Sequence, residues 1–151
     1  MGKKEILVQT KNLSKLYGEG SSVRALEDIS LSIALGEFLA IEGPSGSGKS
    51  TLLNIIGTLD NPTGGDVVIG GVDIGTLKGD ALADFRREMI GFVFQLFNLV
   101  PTMNSLENVM LPLLPYQRNL KFNLKERARE LLMKMNLGER LNHLPGQLSG
   151  G

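Results

Sequence analysis

Eight consecutive residues carry the densest chemistry in this chain: Gly43-Pro44-Ser45-Gly46-Ser47-Gly48-Lys49-Ser50. Glycines spaced by small residues let the backbone curl until successive N–H groups converge, and converging N–H groups bind anions. A lysine follows, with an ammonium on a long stem, and then a serine whose hydroxyl suits a hard divalent cation. The pattern is G-x-x-x-x-G-K-[ST], a phosphate-binding P-loop, in which the lysine reaches the β- and γ-phosphates and the hydroxyl ligates Mg²⁺. The candidate nucleotide contacts are therefore Gly43, Ser45, Gly46, Ser47, Gly48, Lys49, Ser50 and Thr51. Ser50 is also a candidate metal ligand, and Lys49 a candidate catalytic group.

Such a loop needs a strand before it and a helix after it. Phe38-Leu39-Ala40-Ile41 reads as a buried strand, and residues 51–56 read as the first turns of a helix ending near Gly57. The positive end of that helix adds to the anion site. Upstream, residues 6–10 read as a strand, and residues 12–17 either continue it or form its return. Residues 18–22 form a turn cluster. Residues 23–33 end in apolar positions at period two, Ile29, Leu31 and Ile33.

Downstream, residues 66–74 read as two short strands around Gly70-Gly71. Asp80 is placed to cap a helix over 81–89, and residues 90–95 read as a strand ending in Gln95. Pro101, Pro112 and Pro115 break the following segment around a short helix over 105–110. Asn123 is placed to cap a helix reaching about Asn136. Its apolar face is Leu124, Ala128, Leu131, Leu132 and Met135. The reading is an α/β P-loop core with an antiparallel β subdomain over 1–95, then a helical subdomain over 96–151.

Composition narrows the partners. The 151 residues suffice for one cored domain, and 42% apolar with 21% charged residues is ordinary for a soluble chain. Sixteen basic residues balance sixteen acidic ones, so charge gives no basis for a nucleic-acid partner. With no cysteine there is no disulfide and no thiolate metal site. No apolar run approaches the ~20 residues of a membrane span, so membrane association would pass through a partner. Residues 1–5 do not read as a signal peptide, and Ile6 stands where a myristoylation signal needs Ser or Thr.

Several motifs now converge. The P-loop, the Gly91-Phe92-Val93-Phe94-Gln95 strand and the closing Leu148-Ser149-Gly150-Gly151 resemble, in order and spacing, the nucleotide-binding subunit of an ATP-binding cassette (ABC) transporter. Asn61-Pro62-Thr63 with the Gly-rich turn after it resembles the family's β subdomain, and Asn98-Leu99-Val100-Pro101 and Leu106-Glu107-Asn108-Val109 resemble the start of the helical subdomain in its lipoprotein-releasing and macrolide-efflux branch. The resemblance spans residues 6–151. It implies a P-loop ATPase fold, ATP and Mg²⁺ as ligands, and a place on the cytoplasmic, inner face of the membrane. Tyr17 then falls where the family stacks adenine on an aromatic ring, a contact of about 1–3 kcal/mol. Gln95 falls at the Q-loop, where its amide oxygen serves Mg²⁺ or the attacking water. Ser149, Gly150 and Gly151 fall at the signature motif, a second phosphate cradle that in the family serves the ATP held by a second cassette. A transmembrane permease is the other implied partner, docking on residues 96–114 with Phe97, Leu99 and Met103 as candidate contacts. His143, the single histidine, reads as a loop residue.

The family pattern runs on with a second acidic motif, a catalytic Glu and a switch His, none of which matches a position in 1–151. The resemblance therefore implies an N-terminal part of such a subunit, ending within the signature motif and inactive in hydrolysis by itself. Its parent activity is ATP hydrolysis coupled to export or lipoprotein release. Three alternatives stand beside it: a non-catalytic nucleotide-binding fragment, a small P-loop kinase, and a soluble ABC protein with no membrane partner. A kinase would leave Gln95 and residues 148–151 without a role.

Overall fold

The computed structural model describes residues 5–18 and 23–148. By its contacts the chain divides into two compact units, Met1–Val93 and Phe94–Gly151.

The first unit is organised by one long strand. β1 (Ile6–Tyr17) runs between β2 (Val23–Ala34) and β3 (Gly64–Ile69), and β4 (Val72–Asp73) closes the far edge, giving an antiparallel sheet of order β2-β1-β3-β4. Residues 12–17 thus continue the first strand and do not return along it. The junction is Asn12, at φ +48, where the pairing with β2 shifts register. Its side chain donates to Asp28 and its backbone N–H to the Ser30 hydroxyl, which holds the irregular backbone. Gly70 and Gly71, both at positive φ, make the two-residue turn of the β3–β4 hairpin that their sequence predicts.

One helix covers this sheet. α1 (Lys49–Ile56) buries Leu52 and Ile55 among Val8, Leu13, Leu26, Val67, Ile69 and Ile74. Leu13 and Ile55 are wholly shielded, so truncating either to alanine would cost about 2–5 kcal/mol. Thr10 is the polar exception in this layer. Its hydroxyl donates to Ile29 O at 2.9 Å and accepts from Leu31 N at 3.1 Å, so it is buried without a desolvation penalty. α2 (Asp80–Met89) is tied to the end of α1 through Arg86, which donates to the Thr58 hydroxyl at 2.9 Å and to its carbonyl at 2.5 Å.

Three expectations need correction here. Residues 38–41 and 90–95 are not strands, because neither stretch joins a ladder among the described residues. Ile41 and Ile90 pack on the core, but Phe38 is 95% exposed and Val93 fully so. Apolar runs alone did not distinguish this from a buried strand. Asp80 is the first residue of α2 and not its cap. Gly79, at φ +55, holds the cap position, and Asp80 acts through its charge in the first turn.

The second unit is helical. α3 (Ser105–Met110) starts with a capping box: Asn104 Oδ1 accepts from Glu107 N, and the Glu107 carboxylate accepts from Asn104 N. α4 (Leu124–Lys134) is capped by Asn123, as its sequence predicts. It stops two residues short of Asn136. Asn136 is left-handed, at φ +58, and donates to Met133 O while Leu137 N donates to Leu132 O, the Schellman arrangement. The buried face of α4 is consequently Leu124, Ala128 and Leu132; Leu131 and Met135 are exposed. Ala128 and Leu132 pack with Leu106 of α3. Short 3₁₀ turns over Leu111–Asn119, Gly138–Arg140 and Pro145–Gln147 complete the unit.

Candidate nucleotide-binding site

The loop between Gly43 and Ser50 is shaped by where α1 must start. Gly48 caps α1 at φ +86, a left-handed backbone that costs a residue with a Cβ about 1–2 kcal/mol. Space forbids a side chain as well. A Cβ on Gly48 would lie 2.4 Å from Ala25 O and 2.8 Å from the Leu26 side chain. The loop is thus pressed against β2 at a point that only glycine fits. Gly46 is also left-handed, at φ +80, but a Cβ there would meet nothing within 4 Å.

The helical ladder of α1 begins with Leu52 N donating to Gly48 O at 2.9 Å. The N–H groups of Lys49, Ser50 and Thr51 therefore stand at its open end with no intrahelical acceptor. Lys49 curls back over the loop. Its Nζ donates to Gly43 O at 2.8 Å, Pro44 O at 2.7 Å and the Ser47 hydroxyl at 3.3 Å. Residues 45–51 and Val23, Arg24 and Ala25 of β2 line a cavity of about 270 Å³. A second cavity of about 320 Å³ adjoins Gly43, Pro44 and residues 47–49, with Leu26, Ile29, Ile41 and Leu52 among its walls. Glycine N–H groups, hydroxyls, an ammonium and a helix N-terminus around one opening fit a polyphosphate.

Tyr17 is placed by strand register. It pairs with Val23, and Val23 lines the first cavity, so Tyr17 stands one strand over from the wall of that cavity. It is 42% exposed and is held by two groups absent from the sequence expectation. The phenol donates to Asp60 Oδ2 at 2.6 Å, and Lys15 Nζ sits 4.8 Å from the ring centroid. Lys15 also donates to Asp60 Oδ1 and Asn61 O, each at 2.6 Å. Burial pushes the Asp60 carboxyl up, but hydrogen bonds from Lys15, Tyr17 and the Asn61 backbone, with the Lys15 charge, outweigh it and hold Asp60 below the usual carboxylate range. The only trace of this in sequence is that Lys15 and Tyr17, two residues apart, share a strand face; nothing marked Asp60.

Gln95 is exposed and belongs to the second unit, whereas the P-loop and Tyr17 belong to the first. Ser149, Gly150 and Gly151 lie outside the described residues. His143 is a backbone participant: its carbonyl accepts from Ser105 N at 2.9 Å and from the Ser105 hydroxyl at 3.1 Å. The second unit has a larger cavity of about 750 Å³, bounded by Arg129, Met133, Asn136 and residues 138–141. It is lined by α4 and a three-residue 3₁₀ turn and has no glycine loop of the P-loop kind, so its size does not make it a phosphate site. Among the described residues no group of three or more His, Cys, Asp or Glu side chains is placed to hold a metal, and no helix is long and apolar enough to cross a membrane.

Comparison with known proteins agrees with this geometry. The family described as "ABC transporter" matches residues 26–151. The macrolide export ATP-binding/permease protein MacB of Hyphomonas neptunium is 48% identical over 146 residues, which cover 96% of this chain and 22% of MacB. The lipoprotein-releasing system ATP-binding protein LolD of Geobacter metallireducens is 49% identical, over 96% of this chain and 64% of LolD. Among solved structures, the ATP-binding cassette MJ0796 in a dimeric, post-hydrolysis state bound to ADP and Pi superposes with a TM-score of 0.83. Identity there is 47%, covering 95% of this chain and 64% of that one. The chain belongs to the ABC transporter family, and its fold is the α/β P-loop NTPase type with an antiparallel sheet and helices. It spans just under two thirds of LolD and of the MJ0796 cassette, and about a fifth of MacB.

Proposed function

We propose that this chain is the part of an ABC cassette that binds ATP, with the triphosphate in the P-loop and the adenine on Tyr17. The observation that carries the reading is the loop itself: a left-handed Gly48 wedged on β2, the open N-terminus of α1, and Lys49 Nζ held within 2.8 Å of two loop carbonyls. The N–H groups of residues 45–51 take phosphate oxygens, and Lys49 balances charge at the β- and γ-phosphates. Ser50 is the residue of the first unit that would hold Mg²⁺. The ion, when bound, neutralises charge on the phosphates so that transfer to water becomes feasible.

In the same reading the cassette pairs with a second cassette, each offering the serine and glycines of its signature motif, Ser149 to Gly151 here, to the other's nucleotide. It docks on a transmembrane permease at the inner face of the membrane and couples ATP hydrolysis to export or lipoprotein release. The names of MacB and LolD and the dimeric state of MJ0796 support this. So does the apolar exposure of Phe97 and Leu99 within the proposed docking segment; Met103 is half-buried.

A competition titration tests the nucleotide reading. ATP, ADP and AMP are titrated against a fluorescent ATP analogue in the presence of Mg²⁺. The expected order is ATP, then ADP, with AMP far weaker, because the β- and γ-phosphates are what Lys49 and the loop hold. AMP competing as well as ATP would refute the phosphate assignment.

A further inference from the structure

We infer that Lys15 and Asp60 are positioning residues that fix which face of Tyr17 is offered to the base. The inference rests on the nucleotide-binding reading above. Lys15 is nearly buried, and its ammonium covers one face of the Tyr17 ring at 4.8 Å from the centroid. That face is closed to a planar ligand. Tyr17 nevertheless keeps 42% of its surface open, so the face away from Lys15 is the stacking surface.

Asp60 locks the arrangement from below. One carboxylate oxygen accepts from Lys15 Nζ at 2.6 Å and the other from the Tyr17 hydroxyl at 2.6 Å. Asn61 N adds a third hydrogen bond at 2.7 Å, and Asn61 O accepts from Lys15 as well. An aromatic ring at the end of a strand would otherwise swing about its first side-chain torsion. Here cation–π attraction from one side and a charge-assisted hydrogen bond at the tip hold one rotamer. The base then meets a ring already in place, and less ordering is needed on binding.

The test separates the base from the phosphates. The whole chain is titrated calorimetrically with Mg-ATP and, separately, with Mg-tripolyphosphate, which has no base to stack. Lys15→Met and Asp60→Asn are each expected to weaken ATP binding about two- to fivefold, the range of an exposed cation–π contact, and to leave tripolyphosphate binding as in wild type. In a Tyr17→Ala background, adding Lys15→Met is expected to change nothing further. Equal losses for ATP and tripolyphosphate would mean a general structural role and would overturn the inference. So would undiminished ATP affinity, or a further loss in the Tyr17→Ala background. Should Lys15→Met fail to fold, Lys15→Arg and Tyr17→Phe decide the matter. The first keeps both contacts and is expected to bind ATP as wild type does. The second cuts only the Asp60 tether at an exposed residue and is expected to lose about twofold for ATP alone; no loss overturns the inference. A wild-type chain that binds neither ligand refutes the nucleotide reading itself, which distinguishes that failure from failure of the positioning role.

Discussion

The two ends of the proposed nucleotide site are built in opposite ways. At the phosphate end the recognising groups are mostly main-chain N–H groups, set by the conformations of Gly46 and Gly48 and the start of α1. At the base end they are side chains from distant positions, with Lys15 and Tyr17 on β1 meeting Asp60 after α1. A backbone cradle is set by a short contiguous motif and tolerates little change. A side-chain platform is assembled by the fold and can be trimmed one contact at a time. The contrast predicts a gradient of mutational effects.

The largest effect should come from the cradle glycine that lies against the backbone of β2. Gly48→Ala combines a left-handed backbone with a Cβ 2.4 Å from Ala25 O. It should destabilise the fold by about 2–4 kcal/mol and abolish nucleotide binding. Gly46→Ala has the same backbone penalty without the clash, so its cost in stability should be about 1–2 kcal/mol. Equal denaturant midpoints for the two variants would mean that contact with β2 does not shape the loop.

At the base end the expected losses are smaller. Tyr17→Ala should weaken ATP binding by about 1–3 kcal/mol, while Tyr17→Trp largely retains it and Tyr17→Phe loses about twofold. GTP should bind nearly as well as ATP, since every base has a face to stack. Competition titrations read all of these; wild-type affinity in Tyr17→Ala would remove the ring from the site.

The smallest effect concerns pH. Asp60 is held below its ordinary value of 3.8, so its ion pair stabilises the folded state fully above that value. The stabilisation is lost as pH falls from there through the lower folded-state value. The thermal midpoints of wild type and Asp60→Asn should therefore differ near neutral pH and converge below about pH 3.8. A difference that grows on acidification would reverse the sign of this coupling.

The same contrast explains what was legible in the sequence. The P-loop could be read because all its parts are contiguous, as could the Asn123 cap, the Gly70-Gly71 hairpin turn and the short helix at Ser105–Met110. Lys15 and Asp60 could not, because 45 residues separate them and the pairing of β1 with β3 and with Thr63 just before it brings them together. Residues 38–41 and 90–95 misled for a related reason. Hydrophobicity marks a segment that can be a strand, but a strand exists only with a ladder neighbour, and among the described residues neither segment has one.

In the proposed site, phosphate binding resides in the loop and base binding in the Tyr17 platform. Calorimetry of Lys49→Ala with Mg-ATP and with Mg-tripolyphosphate tests the division at its phosphate end. Loss of a charge-assisted contact of about 1.5–3 kcal/mol predicts that both ligands weaken together, by roughly tenfold to a hundredfold. Wild-type affinity of Lys49→Ala for either ligand would contradict the claim.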